Sequence, residues 1–266
     1  ARVTVIPLPA VTPVIDSVST GTLAVAIADN ETAVLEWAST TGSAAEGSAA
    51  TAIARLDISA SPSGGTPTQE GTLTFAATPS MLDAEVADLG ALTGTLSFTN
   101  AVDLATTTLS QPHLSDTLVE GNEQYRLTLS LLVAPSGVSA AATPYTGTIV
   151  DAQSASVSLG SGPLAAGEGS AAGAAVTLTT SAGSTLEQPA GITVQLSDGS
   201  ASYAGGSGDF GFAGPSNFLI VNFPAGAGNG ASQSASINLS DDRVVEGSEG
   251  FTASLSAPTG AITAAG

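Results

Sequence analysis

Leu239–Phe251, LSDDRVVEGSEGF, gathers Asp241, Asp242, Glu246 and Glu249 around a single Arg and two glycines. An earlier stretch, Leu114–Tyr125, LSDTLVEGNEQY, repeats it with Asp116, Glu120 and Glu123. Carboxylates this close repel one another. A hard divalent cation relieves that repulsion, and calcium takes oxygen ligands of this kind. The plainer alternative is a solvated loop whose charge keeps the protein soluble and discourages edge-to-edge strand pairing. Glycosidase chemistry fits less well, because adjacent residues such as Asp241 and Asp242 diverge, whereas that reaction needs two carboxyls set apart across a cleft.

Other chemistry is thin. The single histidine, His113, follows Pro112 with no nucleophile motif beside it, and is expected at the surface without a catalytic role. GSGPLAAGEG and GGSGDFG are glycine-rich but lack the Lys and the strand–helix setting of a phosphate loop. Trp37 and the few tyrosines are expected as fillers rather than as a sugar-stacking platform. No enzyme is expected. Four Arg and no Lys stand against 23 Asp and Glu, a net charge of −19, which excludes nucleic acid and anionic membrane as partners. There is no cysteine, hence neither disulfide nor thiolate site. No stretch approaches the ~20 apolar residues of a membrane helix, so no membrane insertion is expected. No signal peptide is recognisable, and an exported form would carry its targeting segment outside this sequence. Asn30 in NET and Asn238 in NLS match the glycosylation pattern, which with abundant Ser and Thr leaves glycans as a further partner.

The elements that must position these acids are strands. Thr, Ser, Val and Gly dominate, and 31 Gly and 14 Pro supply many turns. At an offset of 122 residues, GSAAEGSAA in the first half matches PLAAGEGSAA in the second, with Glu46 and Glu168 in the same place. Self-similarity of this length points to a repeated unit. The expected domains are therefore a sandwich at 31–152 and another at 153–266. Residues 1–30 read as the last two strands of a preceding repeat, RVTVIPL and TGTLAVAIAD, because they match 126–151. Residues 40–50 and 162–172 read as loops, and SMLDAEVADLGAL as an excursion with room for a helical turn. The second copy has no counterpart of YTGTIVD. The first and last domains are thus expected to be incomplete, as in a segment of a longer tandem array. The alternative is a subunit completed by strand addition through 21–29 of another copy.

The combined pattern resembles the Calx-beta domain. The residues that carry the resemblance are Glu168-Gly169, GSGDF with Asp209, SDDRVVEGSEGF and SLSAPTG in the second copy. In the first they are AEGS at Glu46, ADLGALTGTLSF with Asp88, LVEGNEQYRLTLS, and the closing TIVD. The resemblance implies an all-β chain of tandem immunoglobulin-like β-sandwiches, about seven strands each, with calcium held in loops at one end. It implies as metal ligands Glu168, Asp209, Asp241, Asp242, Glu246 and Glu249 in the second copy. In the first it implies Glu46, Asp88, Asp116, Glu120, Glu123 and Asp151. Ser115 stands where the second copy has Asp241, and the loop is one residue shorter. The first copy is therefore expected to hold fewer ions or to bind them more weakly.

The function expected is a structural repeat of an extracellular filament, sheath or adhesin at the cell surface, with calcium stiffening its joints. Its partners would be neighbouring repeats or other copies, end to end. A calcium-sensing regulatory module and a carbohydrate-binding module are the alternatives.

Overall fold

Alternation of apolar and polar residues gives a strand one dry face and one wet face, and here it builds two separate hydrophobic clusters. The computed structural model describes residues 31–59, 66–160, 164–203, 208–213 and 216–265. The expected strands within 1–30, including the donor segment 21–29, lie outside the described residues.

The first half runs β1 (Ala33–Trp37), β2 (Thr41–Ala45), β3 (Ala49–Ile58), β4 (Thr72–Met81), β5 (Thr93–Gly94), β6 (Ser97–Thr99), β7 (Ala105–Pro112), β8 (Leu118–Val119), β9 (Glu123–Val133), β10 (Val138–Ala140) and β11 (Tyr145–Val150). One sheet has the order β10-β1-β3-β7-β5 and the other β2-β11-β9-β4-β6. Neighbours are antiparallel except at β1–β10 and β2–β11, which run parallel. Between the sheets lie Trp37, Leu56, Phe75, Leu109, Tyr125, Leu127 and Tyr145, all nearly inaccessible. Trp37 donates its indole N–H to Leu127 O at 3.2 Å and packs against the Tyr145 ring. It is a core residue.

The second half runs β12 (Ala155–Leu159), β13 (Ala171–Thr180), β14 (Thr185–Leu186), β15 (Ala190–Ser197), β16 (Phe210–Gly211), β17 (Phe218–Phe223), β18 (Ser232–Leu239), β19 (Thr252–Thr259) and β20 (Thr263–Ala264). Its larger sheet, β20-β12-β13-β18-β16, repeats the order of β10-β1-β3-β7-β5. β13 and β3 even share one burial pattern along their ten residues. The facing sheet is β17-β15-β19, and Val176, Leu178, Ile192, Val194, Phe210 and Phe223 fill the space between. The chain is all-β, of immunoglobulin-like sandwich construction.

One sequence expectation changes. Residues 41–45 are not loop but β2, paired along its length with β11; a run of Thr, Gly, Ser and Ala carries no alternation from which to read a strand. β2 can lie there because Gly42 and Gly147, register partners, leave room for the Tyr145 and Tyr125 side chains. A Cβ on Gly147 would sit inside the Tyr125 ring. Gly147→Ala should therefore destabilise the chain by about 1–3 kcal/mol, the usual cost of overpacking, measured by urea unfolding. An unchanged midpoint would mean the ring is not held there. The excursion after β4 does contain a helical turn, a short 3₁₀ segment at Val86–Asp88.

The two halves touch through the acidic loop of the first. Leu118–Val119 pairs in parallel with Thr185–Leu186. Thr185 N–H donates to Thr117 O at 3.1 Å and Glu187 N–H to Val119 O at 3.2 Å. Val119 is 2% exposed, inside the hydrophobic cluster of the second half.

Candidate metal centre

Each copy builds its acidic end from the same three pieces. The first is a turn. In Ala45-Glu46-Gly47-Ser48, Ser48 N–H donates to Ala45 O at 3.2 Å; in Gly167-Glu168-Gly169-Ser170, Ser170 N–H donates to Gly167 O at the same distance. The third residue has φ +69° or +72°, a conformation that suits glycine. The serine hydroxyl donates back to the first carbonyl in both. The motif Glu-Gly-Ser thus fixes where Glu46 and Glu168 leave the backbone.

The second piece is the acidic loop. Asp116 accepts a hydrogen bond from Leu118 N–H at 2.7 Å, and Asp242 accepts one from Val244 N–H at 2.7 Å. These are Asx turns, and they align the two loops from Asp116 and Asp242 onward. The third piece is the segment that brings in Asp88 or Asp209. Asp88 ends the 3₁₀ turn, is 7% exposed, and accepts from Glu85 N–H. Asp209 accepts from Ser202 N–H at 2.8 Å.

In the first copy, carboxylate oxygens of Glu46, Asp116 and Glu120 lie within 4.8 Å of one another, as do those of Asp88, Glu120 and Glu123. Glu120 belongs to both groups. In the second copy, Asp209, Glu246 and Glu249 form one group by the same criterion of 4.8 Å, matching Asp88, Glu120 and Glu123. Four residues of the implied set stand outside these groups. Asp241 lies against Gly169, whose Cβ would meet its side chain, just as Gly47 faces Ser115. Asp242 and Glu168 contribute to the negative field that, after slight desolvation and the Glu249 charge, raises the exposed Glu246 carboxyl above its ordinary range. Asp151 serves the backbone: it accepts from Glu120 N–H at 2.9 Å, Gly121 N–H at 2.7 Å and Gln153 N–H at 2.6 Å. It holds the loop on which Glu120 sits.

The gathering of carboxylates does not follow the number of acids in the two loops. Among the described residues, two overlapping groups occur in the first copy and one in the second. The reason is burial and support. Residues 240–250 are all exposed, whereas Leu118–Gly121 and Glu123 are half-buried or buried, held by Asp151 on one side and the second sandwich on the other. An additional Asp in the longer loop does not replace that support.

Do these residues fit a cation? One oxygen each of Glu46 and Glu123 is buried without a hydrogen-bond partner. Burial and then the Asp116 charge push Glu120 up to about 8; burial and then the Glu120 charge push Glu123 up to about 8. Glu46 is raised by burial first and Asp151 second. Acceptor-only oxygens left unpaired in a shared negative field need a cation or a proton, and an all-oxygen set is the donor chemistry of calcium.

Without metal, the proton does this work. The folded-state values lie above the ordinary 4.5 of the unfolded chain, so the contribution of Glu120 and Glu123 to stability is complete below 4.5 and is lost as pH rises through about 8. In chelator, stability measured by urea unfolding should fall from pH 6.5 to beyond 8. A flat or rising profile would mean that these carboxyls are not gathered. The window avoids His113, whose pKa is lowered from 6.5, chiefly by burial. Its contribution is present above 6.5 and is lost only as pH falls.

His113 itself corrects an expectation. It is 2% exposed, not a surface residue. Nδ1 donates to Ala44 O at 3.0 Å, which leaves Nε2 to accept from the Tyr125 hydroxyl at 3.1 Å. Its backbone N–H donates to Ser48 O at 2.7 Å and its carbonyl accepts from Gly47 N–H at 3.0 Å. His113 is a neutral strut that ties the Glu46 turn to both sheets. Leu239 makes the same backbone contacts in the second copy, through Gly169 and Ser170. The sequence also gave no weight to Gln153, which donates to Asp116 O at 2.8 Å and keeps a buried, unpartnered Oε1. Its one signal is its place two residues after Asp151.

No protein-family model matches the chain, and no curated protein matches it. Among solved structures it is similar to CBD12 from CALX1.2, at 14% identity and TM-score 0.36, over 86% of this chain and 82% of that one. It is similar also to the calcium binding domain CBD12 of CALX1.1, at 12% identity and TM-score 0.35, over 85% and 80%. The Yersinia pseudotuberculosis adhesin InvE matches at 15% identity and TM-score 0.30, over 77% of this chain and 51% of that one. Likeness at this level carries no site residue from one chain to another.

Proposed function

We infer that this chain is a non-catalytic structural module of an extracellular or cell-surface protein, whose β-sandwiches are joined end to end and whose joint is stiffened by calcium. One observation carries the reading. The loop that holds Asp116, Glu120 and Glu123 is the same loop that pairs with β14 and buries Val119 in the neighbouring sandwich. A cation that orders those carboxylates therefore orders the joint. Glu46, Asp88, Asp116, Glu120 and Glu123 would hold it, with Glu120 shared between two positions. The ion supplies charge neutralisation and nothing else.

Further observations favour this over the alternatives. Glu187, from the second sandwich, is raised first by burial and then by Glu85 of the first, so negative charge meets across the joint and opposes docking. Trp37 is buried in the core, which removes it as the sugar-stacking platform of a carbohydrate-binding module. Both ring nitrogens of His113 are engaged, which favours a non-catalytic role. Among the described residues no helix is long and apolar enough to cross a membrane.

Scanning calorimetry in excess calcium and in chelator tests the reading. At a calcium concentration of about a hundred times Kd, the folded state gains about 2.7 kcal/mol per site, and the melting temperature should rise. Superimposable transitions in the two buffers would contradict it.

A further inference from the structure

We propose that Val244–Val245 is a docking strand for a second copy of this chain. The inference rests on the end-to-end reading above and adds a surface to it. In the loops aligned by their Asx turns, Leu118 corresponds to Val244 and Val119 to Val245, each pair followed by Glu-Gly-x-Glu. Leu118–Val119 is covered: it pairs with Thr185–Leu186, and Val119 is 2% exposed beside Leu186 at 1%. Val244 is 59% exposed and Val245 100% exposed. The valine pair stands in water at the position that its counterpart uses for docking. The first copy indicates what covers it: the edge strand of another sandwich.

A second copy offers the matching edge at Thr68–Gln69. Thr68 bridges Val102 as Thr185 bridges Gly228. Gln69 N–H donates to Ala101 O at 2.8 Å as Leu186 N–H donates to Ala227 O at 2.9 Å. Gln69 and Leu186 are both buried, at 6% and 1% exposed. The two donors that fasten the first loop are the backbone N–H groups of Thr185 and Glu187; their counterparts are Thr68 and Glu70, neither of them proline. Pro67 falls where no donor is needed. Val244–Val245 of one molecule therefore runs parallel to Thr68–Gln69 of the next. Because the two surfaces differ, each molecule offers one and accepts one, and the contact propagates as an open chain.

Without a covalent tether the contact is weaker than its intramolecular counterpart, and it works against the net charge of −19 on each molecule. Sedimentation velocity of the full chain from about 10 µM to about 1 mM covers the range in which a tether's effective concentration matters. The experiment is run in moderate salt with calcium and again with chelator, on the wild-type chain and Val245→Asp. Val245 has no contacts to lose, so the variant should keep the wild-type melting temperature. Sedimentation that rises with concentration in the wild-type chain and stays flat in Val245→Asp supports the proposal. Association in neither buffer, or association that Val245→Asp leaves unchanged, overturns it. Association that is lost in Val245→Asp but indifferent to calcium leaves docking standing and counts against the calcium reading alone.

Discussion

Val119→Asp should cost about 3 kcal/mol or more and uncouple the two sandwiches, because it places a carboxylate in an apolar cluster with no partner to meet it. The expected thermogram splits, with the second sandwich melting well below the first. The loss has a second consequence. Leu118–Val119 is the part of the acidic loop anchored by the neighbouring sandwich, so the variant should also bind calcium more weakly in the first copy, although no carboxylate has been removed. Val245→Asp, the same change at the corresponding residue, should leave stability unaltered because that side chain is fully exposed. A single cooperative transition at the wild-type temperature in Val119→Asp would mean that the loop does not dock.

Glu120→Gln should have the largest effect on metal binding. Glu120 is the residue common to both carboxylate groups of the first copy. Its loss should weaken both positions together, by at least the about tenfold typical of disturbing even an outer-shell partner. Glu123→Gln should affect one position, and Glu246→Gln only the second copy. Calorimetric calcium titration reads these cases apart. Equal losses in Glu120→Gln and Glu246→Gln would show that Glu120 is not shared.

Much of this arrangement was legible in the sequence, and the exceptions have physical causes. Alternation places Ala50, Ala52, Ala54 and Leu56 inward without any help from the structure. The Glu-Gly-Ser turns at Glu46 and Glu168 follow from local chemistry, since a glycine at φ near +70° is a local demand. The gathering of Asp88 with Glu120 and Glu123 is different. Asp88 is far from the other two in sequence, and only the family resemblance joined it to them before the sheets did. β2 escaped because small residues leave no period to detect. His113 escaped because its burial depends on the Tyr125 hydroxyl arriving from the other sheet. The closer gathering of carboxylates in the first copy escaped for a related reason. Counting acids favours the loop with Asp241, but what organises carboxylates is the support beneath them, and Val119 and Asp151 give it to the first copy alone among the described residues.

The joint can be measured directly. The chain has no cysteine, so Ser130→Cys and Ser236→Cys, on exposed positions of β9 and β18, give one spin label on each sandwich. Pulsed dipolar spectroscopy then reads the distribution of distances between them in excess calcium and in chelator. A narrow distribution that broadens when calcium is removed is the expected result. Distributions of equal width in the two buffers would contradict a joint stiffened by calcium.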